Sequence, residues 1–158
     1  MTSDSNFSRT SSLIAVLAII SLSAGTISLA AVDEQTGQNQ GDLGKTRSLA
    51  ESQHEIVVLL LGKKQFEQAL TEANKIFAMK WPSDQEPLLL KELLRLSDKF
   101  MHSGQSAYGV RLLESNQGAF RIRASQASIW KEKGYLLKRM GRSDQALECF
   151  RQAQRLER

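Results

Sequence analysis

The chain of 158 residues predicts an all-α fold, and three observations carry that prediction. Strand-like alternation of apolar and polar residues is nearly absent, with Phe120 to Arg123 the single short candidate. The two prolines, Pro82 and Pro87, fall together in one stretch, so the rest of the chain is free of the residue that breaks helices. Apolar residues elsewhere recur at helical spacing, which places helices at about 49–61, 65–79, 86–102, 105–116, 125–140 and 143–157.

Residues 1–31 read as a targeting or anchoring segment. Met1 to Ser12 is polar, and Leu13 to Val32 then runs for 20 residues without a charge. Its most apolar part, Leu13 to Leu22, suits the core of a signal peptide, and Ser28-Leu29-Ala30 offers small residues before a cut ahead of Ala31. The uncharged run also has the length that spans a bilayer, which needs about 20 residues. Two readings stand side by side, a cleaved signal and an uncleaved transmembrane helix. Both put the rest of the chain on the extracytoplasmic (periplasmic) side, because Arg9 precedes the apolar run while Asp33 and Glu34 follow it.

Residues 32–47 are rich in Gln, Gly, Asp and Asn without apolar periodicity, and read as a flexible linker. The folded domain, 48–158, opens at Ser48-Leu49-Ala50-Glu51, which has the form of a capping box. Gly62-Lys63-Lys64 reads as a turn between helices; it lacks the glycine spacing of a phosphate-binding loop. Ser83 with Glu86 forms a second capping-box pattern, and Pro87 suits the start of a helix. Gly141 lies where a helix must stop, and Ser143 where the next needs an N-cap.

The most specific pattern is in the 32 residues from Ala127 to Arg158. Trp130 is followed by Gly134, Gly141, Ala146, Phe150 and Ala153. Gly134 and Ala146 have the small size needed where two antiparallel helices approach closely, while Trp130, Leu137, Phe150 and Leu156 fill the space around them. The spacing recurs upstream in weaker form. Aligning Gly104 with Gly141 puts Gly109 in the place of Ala146, Leu113 in that of Phe150, and Leu96 and Phe100 on the preceding helix. A further unit places Ala69 in the same position, with Phe66, Ala73 and Ile76 beside it and Ile56, Val57 and Leu60 before it. The intervals are 40 residues from Ala69 to Gly109 and 37 from Gly109 to Ala146.

This pattern resembles the tetratricopeptide repeat, whose unit is a helix-turn-helix of about 34 residues. The resemblance covers the last unit well; the two upstream units lack its Trp and first-helix Gly. It implies an α-solenoid of about three helix pairs and a non-enzymatic adaptor that binds a protein partner or acidic peptide. In such repeats the first helix of each pair lines a concave groove. Carried over, the groove residues are Lys131, Tyr135, Lys138 and Arg139 in the last unit, Lys91, Arg95, Asp98 and His102 in the second, and Glu51, His54 and Val58 in the first. A row of cations with one aromatic suits an acidic peptide or a terminal carboxylate.

Catalytic chemistry has little to work with. Two histidines and one cysteine make no nucleophile–base pair, His54-Glu55 lacks the second His of a helical zinc site, and no metal or cofactor is implied. His54 and His102 read as surface or groove residues, and Cys149 as a small, partly buried one. Charge is uneven: residues 117–158 hold ten basic and four acidic side chains, including Arg121, Arg123, Arg151, Arg155 and Arg158, against ten and twelve in 33–116. An alternative function follows, a basic helical module that binds an anionic membrane surface or another polyanion. Nucleic acid is not expected, because export removes it and stacking aromatics are few. No helix follows the last pair, so either its arginines keep that face soluble or a partner subunit covers it.

Overall fold

The computed structural model describes residues 30–158, with side chains from residue 41 onward. The regular structure of the described residues is helical, without a strand. Helices α1 (Ala30–Gly62), α2 (Phe66–Ala78), α3 (Glu86–His102), α4 (Ser106–Asn116), α5 (Arg123–Arg139) and α6 (Ser143–Glu157) are joined by turns and by two short 3-10 segments, Ser83–Gln85 and Gln117–Ala119. The signal or anchor expected at residues 1–31 lies outside the described residues, apart from the start of α1. Among the described residues no helix is long and apolar enough to cross a membrane.

Three local expectations are corrected. Helix α1 starts at Ala30, not Ser48, so residues 32–47, expected as a tether, are helical and Ser48 is an interior residue whose carbonyl accepts the Ser52 hydroxyl at 3.0 Å. Between Ala30 and Ser48 the poorest helix formers are Gly37, Gly41 and Gly44, each costing about 1 kcal/mol, and none blocks the helix as proline would. Ser143 is the first residue of α6; Arg142 holds the cap position, and no side chain caps it. Glu86 does not fold back on Ser83. Its buried carboxylate accepts the backbone N–H groups of Arg121 and Ile122, both at 2.9 Å. It thereby satisfies donors at the start of α5, which begins at Arg123. Pro87 sits in the first turn of α3, where its missing N–H costs nothing. The strand candidate at Phe120 to Arg123 is a short extended connection: Phe120 and Ile122 have extended backbones, and Phe120 is buried.

The turns that close α1, α3 and α5 are copies of one another. Lys64, Gly104 and Gly141 each take a left-handed backbone, with φ of 59°, 74° and 74°. In each, the next residue's N–H reaches the carbonyl five positions back: Gln65 to Leu60 at 2.9 Å, Gln105 to Phe100 at 2.8 Å and Arg142 to Leu137 at 2.9 Å. Glycine adopts this conformation without strain, whereas at Lys64 the side chain opposes it. Lys64→Gly is therefore expected to stabilise the protein by about 0.5–1 kcal/mol, and Gly141→Ala to destabilise it by about 1 kcal/mol, read from urea denaturation midpoints.

Helices α1/α2, α3/α4 and α5/α6 pack as antiparallel hairpins, and α2 also meets α4 while α5 meets both α3 and α4. Equivalent helices of successive hairpins run in parallel. Along α2 and α4, Phe66 meets Tyr108, Glu67 meets Arg111 and Asn74 meets Asn116, so both numbers rise together. His54 meets Glu92 across α1 and α3, and Ser97 meets Glu132 across α3 and α5. One continuous core runs through all three hairpins, with Val57, Ile76, Leu93, Leu96, Phe100, Leu112, Leu113, Ile129 and Leu136 essentially excluded from water. The small residues sit at the tight points. A methyl at Gly134 would come within 2.8 Å of the Phe150 ring, and one at Gly109 within 3.2 Å of the Ser97 carbonyl. Ala69, Ala146 and Ala153 are buried.

Candidate partner-binding cleft

Helices α1 and α3 lie side by side, and the chain leaving α2 folds over their junction. Trp81 is held there because its indole Nε1–H donates to the Ile76 carbonyl at 2.8 Å. Arg47 on α1 donates to the Gln85 side chain at 2.6 Å, which ties the helix to the 3-10 segment before α3. Between these elements is a cavity of about 340 Å³. Ala50, Ile76, Trp81, Leu88 and Leu89 form its apolar walls, and Arg47, Glu51, His54, Lys91, Glu92 and Arg95 its polar lining.

The polar lining is a shared network rather than a row of cations. His54 is buried, and its Nδ1 lies 2.5 Å from Glu92 Oε1. The Arg95 Nε lies 3.4 Å from the other oxygen of Glu92. Sequence spacing had His54 at the surface or in an open groove; burial beneath α3 is what makes its contact with Glu92 strong, because a buried polar group must be paired. Further along the same face, α5 contributes Glu132, which accepts the Ser97 hydroxyl at 3.2 Å. Burial raises the Glu132 carboxyl above its ordinary value, Ser97 opposes the rise, and Asp98 adds to it.

The groove residues expected from the sequence divide. Lys91 and Arg95 join Glu51 and His54 in the cleft. His102 is exposed and turns back on its own helix, with Nδ1 3.2 Å from Asp98 Oδ1. Lys131 is paired with Glu157 at the end of α6. Tyr135 is 57% exposed and packs edge-on against Phe150, with ring centroids 5.2 Å apart. Lys138 and Arg139 end α5 and face solvent. Among these cations Lys131 is met by a carboxylate from a neighbouring helix and Arg95 by one on its own helix, while Lys91, Lys138 and Arg139 form no ion pair with a described residue. Trp81 and Glu92 were not singled out from the sequence, although a Trp just before the Pro82 stop, and a carboxylate three residues ahead of Arg95, were visible signals.

The basic excess of the last 42 residues is partly internal as well. Glu148 takes Arg155 at 2.9 Å and Arg151 at 4.0 Å, and Lys133 pairs with Glu114 at 2.6 Å while lying 5.0 Å from the centre of the Trp130 ring. Cys149 is buried, and burial pushes its thiol up, opposed by the charge of Lys133. Among the described residues no three His, Cys, Asp or Glu side chains converge as a metal site. The cleft offers a half-open recess with apolar walls and charged side chains in its lining, which suits binding.

No family model, curated protein or solved structure matches this chain.

Proposed function

We propose that this chain is a non-enzymatic adaptor built from three tetratricopeptide-like hairpins, exported or membrane-anchored through residues 13–32, and that it binds a protein partner at the α1–α3 cleft. The observation that carries the reading is the cavity itself: an apolar recess under Trp81, rimmed by Arg47, Lys91 and Arg95. A recess of that size receives one bulky apolar side chain, and the rim charges select what flanks it. The repeat reading draws support from the three copied turns at Lys64, Gly104 and Gly141 and from the parallel register of successive hairpins. The first helices of the first two hairpins supply both walls of the cleft, as a concave repeat surface would.

The test is capture from native membranes with a photo-crosslinking residue at Leu88, which is 41% exposed at the cavity rim. A discrete protein partner is expected, lost in Lys91→Glu plus Arg95→Glu and retained in Arg151→Glu on the far helix α6. Capture that is unchanged by the cleft substitutions, with melting curves like wild type, would overturn the reading.

A further inference from the structure

We propose that the edge of the molecule formed by the turns after α1, α3 and α5 is a second interaction surface, built to lie on an anionic phospholipid bilayer. Because successive hairpins run in parallel, the three copied turns emerge on one side of the stack. They carry Lys63 and Lys64 in the first hairpin, Lys99 in the second, and Lys138, Arg139 and Arg142 in the third. All six are exposed, and none forms an ion pair with another described residue.

The carboxylates nearest this edge leave the cations largely unopposed. Glu67, in the first turn of α2, is taken by Arg111 through two hydrogen bonds of 2.6 and 3.1 Å, which hold its carboxyl below the ordinary value together with a contact from Tyr108. Asp98 lies 3.2 Å from the His102 ring, and Asp144, exposed in the first turn of α6, forms no ion pair with a described residue, so two carboxylates stand against six cations at this edge. Elsewhere on the molecule Lys75, Lys131, Lys133, Arg151 and Arg155 have carboxylate partners, while the cations without an ion pair to a described residue, Arg47, Lys80, Lys91, Arg121, Arg123 and Arg158, are divided among several elements. Cations at a helix C-terminus complement its dipole, which accounts for one or two such residues at an end. It does not account for the three at the turn of the third hairpin, nor for the placing of all six along one edge.

Geometry selects the partner. Packed helices are about 10 Å apart, so the three turns span roughly 20 Å across the edge. The contacts between hairpins keep the turns level to within about one helical turn, roughly 5 Å. The cations therefore form a band about 20 Å long across three helix ends rather than a line along one helix, and what favours a bilayer over a soluble polymer is the apolar surface beside them. Two apolar side chains flank them, Leu59 at 63% exposure and Met140 at 36%, placed to enter the interface beneath the headgroups. This surface shares no residue with the α1–α3 cleft, so the two proposals stand or fall separately.

The experiment is co-sedimentation of the full chain with vesicles of phosphatidylcholine alone and of phosphatidylcholine mixed with phosphatidylglycerol. The difference between the two compositions is the readout, since an apolar N-terminal segment would bind both. We expect the wild type to prefer the anionic vesicles by more than about tenfold at low salt, and to lose the preference as salt rises. Lys63→Glu, Lys64→Glu, Lys138→Glu and Arg139→Glu together should abolish it, and the corresponding four glutamine substitutions, which keep the helix ends free of acid, should reduce it. A charge-matched control, Lys45→Glu, Lys80→Glu, Arg151→Glu and Arg158→Glu, should retain most of it. Absence of a preference in the wild type, its survival in the edge variants, or equal loss in the control would overturn the proposal. Binding to soluble polyphosphate without a vesicle preference would also overturn it, and would assign the edge to a polymer instead.

Discussion

Replacing Glu86 with alanine is expected to cost about 3 kcal/mol of unfolding free energy, among the largest effects of any single polar substitution in the chain. The carboxylate is 8% exposed and receives two backbone N–H groups, from Arg121 and Ile122, at the point where the chain turns into α5. Truncation removes two charge-assisted hydrogen bonds and leaves two donors without an acceptor at a helix start. Glu86→Gln keeps one acceptor oxygen and should lose about half as much. The effect carries a pH signature. Burial pushes the Glu86 carboxyl up, but the two backbone donors, the Ser125 hydroxyl and the charge of Arg121 together outweigh it and hold it below its ordinary value of 4.5. A carboxyl with a depressed folded-state value binds its proton more weakly in the fold than in the unfolded chain. Its contribution is therefore fully present above the unfolded value and is lost as pH falls through the folded one. Wild type and Glu86→Gln should differ most in thermal stability near neutral pH and converge under acid conditions below about pH 4. A gap that stayed constant down to that range would mean that the carboxylate's charge is not what holds the α5 entry.

Gly134→Leu is expected to cost about 2–3 kcal/mol by overpacking the α5–α6 hairpin. A single added methyl would already meet the Phe150 ring at 2.8 Å, and a leucine has three further carbons to place. The ring also packs edge-on against Tyr135, so it cannot swing away without giving up that contact. Phe150→Ala alone should cost about 2 kcal/mol, less than a fully buried phenylalanine because the residue is only partly buried. The two substitutions act on one space, so the double variant should recover at least about 1 kcal/mol relative to the sum of the singles. Urea unfolding of the four proteins measures the coupling. Strict additivity would show that Gly134 is small for a reason other than Phe150, and would remove the packing argument for the spacing between them.

Much of the helical layout was legible because it depends on local signals. Five of the six helices start and stop within about three residues of the positions read from apolar periodicity and from Gly104 and Gly141, since a helix C-terminus is written in the one or two residues that tolerate a left-handed backbone. The first helix was misread at its start for the same reason in reverse. Ser48 has the chemistry of a cap, but a capping box works only where the chain before it leaves the helix, and nothing before Ser48 compels it to. Glu86 was read as a local cap on Ser83, while in the fold it serves residues 35 and 36 positions away. No local rule carries information over that distance.

The candidate site divides along the same line. Lys91 and Arg95 could be placed on one face of one helix from their spacing alone, and they do share a cleft. That Lys131 would be taken by Glu157, and that His54 would be buried against Glu92, depended on which helix came to lie beside which. By itself the sequence determined that the chain is helical, where most helices end, and which positions had to stay small: turn chemistry, periodicity and side-chain volume act over a few residues. Only the tertiary structure decided which charges are neutralised and which remain free. Pairing is set by distances across helices, and the parallel stacking of three hairpins is what brings Lys63, Lys99 and Lys138 to one edge while closing the cleft between α1 and α3.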